Sequence, residues 1–368
     1  MKAFFATFIL AGTIIGAGIF SLPYVVSQLG LVLGFLFLYV FFIIYLLIHR
    51  MYGDLLSRES GSHDFSFLAH KYFKPFFAHV STWIIILELL FVLLVYLTIA
   101  PGLLQVSFGV ESTIYFLLFW FLSSVFIFLP LKFTGIAHTL ATIAIVGIVG
   151  LAVYSGFSKP LTTQPFETIN LALFFLPFGP LLFSFSGRPA ISKIIETQKE
   201  AIASGRWFPL RRVIFWGTAI PAILYAVFIV SILKMEPNPL PEALKSVTLS
   251  PDLLRFFGIL GLLAILTSYF MAGKNIRDIL YKDRGIPSWI GFAIPCIVPI
   301  FMYFVVSSSF FLAISITGGI FLACEGICII MMWRNAFPKN HWRRLAPILI
   351  GTFFLSICYE IGHFFGLI

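Results

Sequence analysis

Long apolar runs alternate with short charged connections from one end of the chain to the other. Taking roughly 20 apolar residues as one bilayer crossing, the runs predict about eleven membrane-spanning helices, near 3–28, 30–49, 80–102, 113–131, 136–156, 169–195, 210–233, 252–273, 287–306, 309–333 and 345–367. Two connections carry a pattern of their own. RESGSHDFSFLAHKYFKPFFAHV, after the second run, interleaves Phe65, Phe67, Leu68, Tyr72, Phe73, Phe76 and Phe77 with charges, which suits an amphipathic helix on the inner membrane surface. Its histidines, His63, His70 and His79, read as a solvated face rather than as metal ligands. EPNPLPEALKSVTLSPD, after the seventh run, predicts a turn, a short helix from Pro241 and a re-entry at Pro251 that caps an outer vestibule.

Two of the runs are interrupted. Residues 12–24, GTIIGAGIFSLPY, place Gly12, Gly16, Gly18 and Pro23 inside the first span. Glycine loosens the helix there and proline removes a donor. In hydrocarbon such a break is tolerated only where protein or a polar cavity satisfies the freed backbone. The sixth span, FFLPFGPLLFSFSGRPAISK, is broken in the same manner by Pro177, Gly179, Pro180, Gly187 and Pro189. Two interrupted spans in corresponding positions point to a binding site between two repeats. The expected architecture is therefore an all-α polytopic membrane protein, a single domain over 1–368. A first repeat over 1–156 is followed by a second over 168–333, in a five-plus-five inverted arrangement, with an extra C-terminal helix at 345–367.

Composition strengthens this picture. The 368 residues are 60% hydrophobic and 11% charged, with mean hydropathy +1.04, far below the roughly one-quarter charged content of soluble domains. The net charge of +9 does not imply nucleic acid, because the basic residues lie between the spans: 20 of the 24 Lys and Arg fall on the same side as the N-terminus. That bias predicts a cytoplasmic N-terminus. Lys2 followed by AFFATFILAG imitates a signal peptide, but cleavage near residue 18 would destroy the first break, so the segment is read as a span. The four cysteines sit in apolar runs and read as packing residues.

GTIIGAGIF followed by FSFSG resembles the amino acid–polyamine–organocation superfamily, whose members have the leucine-transporter fold. Within it the chain looks most like the bacterial hydroxy and aromatic amino acid permeases, although a Phe-His pair of that family is replaced by Gly187 and Arg188. The resemblance implies a symporter that moves an amino acid across the cytoplasmic membrane by alternating access, coupled to Na⁺ or H⁺. A non-transporting amino-acid receptor of the same fold is the alternative. It further implies that the amides of Ala17 and Gly18, with Gly16 clearing the approach, hold the substrate carboxylate. The carbonyls of Ile14, Phe183 and Ser184, with the Ser186 hydroxyl, would hold the ammonium, and Tyr96 would reach the carboxylate. Sodium would sit among Gly12, Ile15, Ala264, Thr267 and Ser268; the opposing reading is that Thr267 and Ser268 bond their own helix.

Buried ionisable residues are costly in lipid and are functional candidates by default. Glu88 in the third span and Glu325 in the tenth are candidates for proton coupling. Gly318, one heptad before Glu325, makes room for a close neighbour. Arg188 is the gate candidate, expected to pair with Glu196 or Asp278. Glu360 and His363 are expected to pair with each other, and His49 with Arg50 to anchor the inner interface. No nucleotide motif and no Ser/His/Asp or HExxH arrangement occurs, so neither ATP nor catalysis is expected. The expected partners are an amino acid and the lipid bilayer, without any cofactor besides the coupling ion.

Overall fold

The computed structural model describes the chain apart from Met1 and residues 61–62, 110–111, 129–132, 158, 161–172, 206, 284, 307–308 and 367–368. Of Lys2 and residues 133–138, 282–283 and 288 it describes the backbone alone. The expected start of the second repeat, the ends of the fourth and eleventh runs, the first residues of the sixth, and Lys132, Arg206 and Arg284 lie outside the described residues.

Among the described residues all regular structure is helical: α1 Lys2–Ile14, α2 Leu22–Leu29, α3 Leu31–Ser57, α4 Phe65–Tyr72, α5 Pro75–Phe108, α6 Thr113–Phe126, α7 Phe133–Gly156, α8 Phe178–Phe185, α9 Arg188–Ala203, α10 Leu210–Met235, α11 Pro251–Asp278, α12 Ser288–Val305, α13 Phe310–Ile316, α14 Ala323–Ala336 and α15 Ala346–Phe364. Among the described residues, seven continuous helical segments are long and apolar enough to cross a bilayer, and the pair Ala3–Ile14 and Ala17–Leu29, bent by 49°, forms an eighth. The predicted fourth and ninth spans appear as the shorter apolar helices Thr113–Phe126 and Trp289–Val305. The sixth is split into α8 and α9.

The breaks follow from the sequence. After Ile14 the chain leaves the α-helix, passes Gly16 in extended backbone and re-forms as a 3₁₀ turn, Ala17–Ser21. Pro23 then occupies the first turn of α2, where a missing N–H costs nothing. In the sixth span Ser186 and Gly187 separate the halves, and Pro189 opens α9 in the same way. The tenth span holds a feature that periodicity did not announce: a π-helical turn, Thr317–Leu322, between α13 and α14. There Gly318 crosses α8 backbone to backbone, since a Cβ on it would lie 3.0 Å from Gly179 Cα. The close neighbour expected at Gly318 is α8.

The scaffold is packed around α5 and α11, which lie against each other and against α7 and α12, while α1 rests on α10 and α8 on the π-turn. A continuous apolar core runs through these contacts. The two ends of the bundle differ. At one, Arg58 donates to the Ala336 carbonyl, Lys199 to Leu56 O at 3.2 Å and Asn335 to Tyr72 O at 3.1 Å. At the other, Lys234 donates to Phe157 O at 3.2 Å and the Lys245 side chain lies over Gly102. The first end is the one predicted to face the cytoplasm.

Several local expectations are corrected. The second span continues past His49 to Ser57, so His49 is buried and its Nδ1 lies 3.1 Å from Thr218 Oγ1 rather than at the interface. The amphipathic segment becomes the two-turn α4, whose Phe65, Leu68 and Ala69 are buried, and α5 begins at Pro75. His63 stacks on Phe67, and the His70 and His79 rings meet edge to face. The outer loop forms a single 3₁₀ turn, Ala243–Lys245, against the Ala17–Ser21 turn and α5. His363 stacks on Tyr359, with ring centroids 5.9 Å apart, while Glu360 turns inward against Gly319, because the two share a helix but not a partner.

Candidate functional site

The two breaks meet. A Cβ on Gly18 would lie 2.8 Å from Ser184 Cα, so only glycine lets the first span approach the second break this closely. Between them a cavity of about 360 Å³ is lined by Gly12, Thr13, Ile14, Gly16 and Gly18 from the first span and by Phe183, Ser186 and Arg188 from the sixth. That volume lies within the roughly 300–1,000 Å³ of small-molecule sites. Across from them stand Leu89, Val92 and Tyr96 of α5, Ser268 and Met271 of α11 and Leu322 of the π-turn. The cavity continues past Ser192, Lys274, Asn275 and Asp278 to Asp64 beside α4, and thus opens at the predicted cytoplasmic end. On the opposite side Phe20 is buried, as is Leu244 of the outer 3₁₀ turn.

The expected substrate residues divide into two groups. Ile14, Gly16, Gly18, Tyr96, Phe183 and Ser186 line the cavity, whereas Ala17 and Ser184 lie behind its wall. A Cβ on Gly16 would be 3.9 Å from the Tyr96 hydroxyl, so the tyrosine faces the first break; Ser268 lines the same cavity. The Ile14 and Ser184 carbonyls already have a partner. The fully buried Tyr225 hydroxyl of α10 lies 2.9 Å from Ile14 O and 2.6 Å from Ser184 O, sharing one proton between them. Beside it, Tyr45 donates to Leu182 O at 2.6 Å. Neither tyrosine was singled out in the sequence. The available signal was chemical: a buried tyrosine needs a partner for its hydroxyl, and the orphaned carbonyls at the C-terminal ends of α1 and α8 are natural acceptors.

Of the five positions expected to hold sodium, Gly12 and Ser268 line the cavity, while Ile15, Ala264 and Thr267 are buried beside it. Thr267 donates to the Leu263 and Ala264 carbonyls of its own helix, at 3.0 and 2.9 Å. Gly12 is packed against Thr142 of α7. Thr267 thus bonds its own helix, as the opposing reading had it, while its hydroxyl oxygen and the Ala264 carbonyl each keep a lone pair.

The acidic candidates, separate in sequence, converge on Arg188. Its Nη2 lies 3.9 Å from Glu88 Oε1 and its Nε pairs with Glu325 Oε1. Arg188, Glu88 and Glu325 are 6%, 3% and 4% exposed. The partners expected for Arg188 are engaged elsewhere: Glu196 with Lys193 at 2.7 Å and Asp278 with Arg277 at 2.6 Å. The reason is positional. Arg188 is the first residue of α9 and points back into the bundle, over the Phe65 ring at 5.4 Å, while Glu196 lies two turns farther out.

The family model of the transmembrane amino acid transporter proteins matches residues 1–231. The chain belongs to that family. Its fold is that of the leucine transporter, as the resemblance in the two breaks implied. The structure of MhsT in complex with L-phenylalanine is similar with a TM-score of 0.61 at 14% identity, covering 95% of this chain and 98% of that one. The inward-facing conformation of Mhp1 is similar with a TM-score of 0.63 at 14% identity, covering 93% and 77%. No curated protein sequence matches. This transporter is thus a multi-pass membrane protein, and the matched region contains both breaks, Glu88, Arg188 and Tyr225.

Proposed function

We propose that this transporter is a secondary active symporter importing a neutral amino acid with an apolar side chain across the cytoplasmic membrane. The observation that carries the reading is the cavity into which both helix breaks open. Exposed N–H groups after Gly16, at the positive end of the following turn, suit a carboxylate. The negative ends of α1 and α8 suit an ammonium. Leu89, Val92, Phe183, Met271 and Leu322 offer the side chain an apolar surface. The phenylalanine held by MhsT is a ligand of this class. With the N-terminus cytoplasmic, the open arm of the cavity faces the cell interior, the release side for an importer. The cavity then serves in turn as binding site and exit as the breaks rearrange, with the gradient of a coupling cation supplying the direction.

Counterflow in proteoliposomes loaded with one unlabelled neutral amino acid tests this reading. Labelled leucine or phenylalanine should exchange in, and the same amino acids should raise the thermal stability of the purified protein. Stabilisation without exchange would make the chain a receptor of the same fold; neither effect with any amino acid would overturn the proposal.

A further inference from the structure

Two carboxyl groups and one guanidinium are enclosed together beside the substrate cavity. Glu88 and Glu325 both face Arg188, Glu325 in direct contact and Glu88 at 3.9 Å. Charge sets the proton count. With both acids ionised the cluster would carry one uncompensated negative charge in the apolar interior, at a cost of several kcal/mol; with one proton it is neutral. Other polar groups surround it. From α3 come Tyr45, His49 and Tyr52, which share a small void with Arg188 and Glu325; the His49 ring is bonded to Thr218 and the Tyr52 hydroxyl lies near Ser192, at 3.2 Å. Asp64 precedes α4, and Lys274 and Asp278 stand in the open arm of the cavity on α11.

The two acids are not equivalent. Glu325 follows the π-turn and is in direct contact with the guanidinium, away from the main cavity; π-turns are frequent at functional sites. Glu88 is farther from Arg188, has an unbonded Oε2 and lines the cavity that opens to the predicted cytoplasmic side. We propose that Glu88, Arg188 and Glu325 form the coupling site of the transporter, that the coupling ion is a proton, and that Glu88 carries it. This deepens the symport reading and rests on it.

The proton enters from the outer solution when the cavity opens there and leaves Glu88 into the cytoplasmic arm, with no bond made or broken except that O–H. Its departure restores the excess negative charge and draws Arg188 from Glu325 toward Glu88. Arg188 is the first residue of α9, and Gly187 before it is packed on Ile14 and Leu10 of α1. The change of partner therefore bears directly on both helix breaks.

Two measurements test the proposal. In the purified protein at neutral pH, the infrared carbonyl stretch of a protonated carboxyl should be present, diminished in Glu88→Gln and retained in Glu360→Gln, which removes a buried acid outside the cluster. Glu88→Gln reproduces the neutral charge of the cluster, so it is expected to fold; Glu325→Gln is the second variant. An infrared band indifferent to both Glu88→Gln and Glu325→Gln would overturn the proposal. In proteoliposomes with an alkaline interior, wild-type protein should accumulate amino acid while a trapped dye reports acidification, equally in sodium and choline. Glu88→Gln should lose the pH-driven accumulation, and Glu360→Gln should keep it. Accumulation that survives in Glu88→Gln, or that follows sodium, would overturn proton coupling. Absence of exchange and accumulation in every protein would count against the transport reading, while the infrared result would still report the proton.

Discussion

Tyr225 shows how a single hydroxyl bears on both breaks. It stands behind the cavity, on α10, and serves the carbonyls at the ends of two half-helices that belong to different spans. One proton cannot satisfy both, so the pair remains electron-rich and suited to a ligand with several N–H donors, such as a primary ammonium. Replacing Tyr225 with Phe keeps the ring but removes the donor. The expected loss is about 1–3 kcal/mol, the usual cost of leaving a buried polar group unmet, read as a lower melting temperature in detergent. The neutral amino acid should then stabilise Tyr225→Phe more than wild type, because its ammonium supplies what the hydroxyl did. Equal stabilisation of both proteins would mean that the ammonium binds elsewhere.

At the scale of elements, α4 connects the polar end of the bundle to the buried cluster. Its N-cap Asp64 accepts from Phe67 N at 3.0 Å, and its Phe65 ring lies under Arg188. Its far end is tied to the loop after α3 by Glu59, which accepts from Lys71 Nζ at 2.6 Å and Tyr72 Oη at 3.1 Å. Burial pushes the Glu59 carboxyl up, but these two hydrogen bonds and the Lys71 charge outweigh it and leave the carboxyl below its ordinary value. A lowered folded value gives stability that is complete above the unfolded carboxylate range, about 4.3, and lost as pH falls through the folded one. Glu59→Gln should therefore melt below wild type at pH 7, and the gap should close as the solution is acidified below that range. A gap that widens in acid would refute the assignment. This tie was not legible beforehand, because apolar spacing marked an amphipathic segment without saying where it turns. The breaks were legible, since glycine and proline act on the backbone locally. The destination of Arg188 was not: partner choice depends on how α9 is rotated against α5 and α14, which no single helix encodes.

Across the whole molecule, the distribution of charge in the sequence and the shape of the cavity describe the same asymmetry from independent directions. Lys and Arg gather at the end where α3, α4, α9 and α14 close on one another, and the cavity opens beside that end, past Asn275 and Asp278. At the other end the buried Phe20 and the turn at Ala243–Lys245 close the path. The apolar runs marked the helical segments, and the two interruptions marked where the cavity forms. Neither stated which end would be open, because that depends on the tilt of complete helices. Cysteine accessibility reads this directly. In a background with Cys296, Cys324, Cys328 and Cys358 replaced, Asn275→Cys should react with an impermeant maleimide in inside-out vesicles and be protected in intact cells. A saturating amino acid should slow that reaction, since in the proposed site it would lie on the route from the breaks to Asn275. Phe20→Cys should be unreactive from either side in the conformation described, and reactive from outside only as the opposite conformation is populated. Reaction of Asn275→Cys from outside alone would invert the assigned topology, and with it the direction of transport.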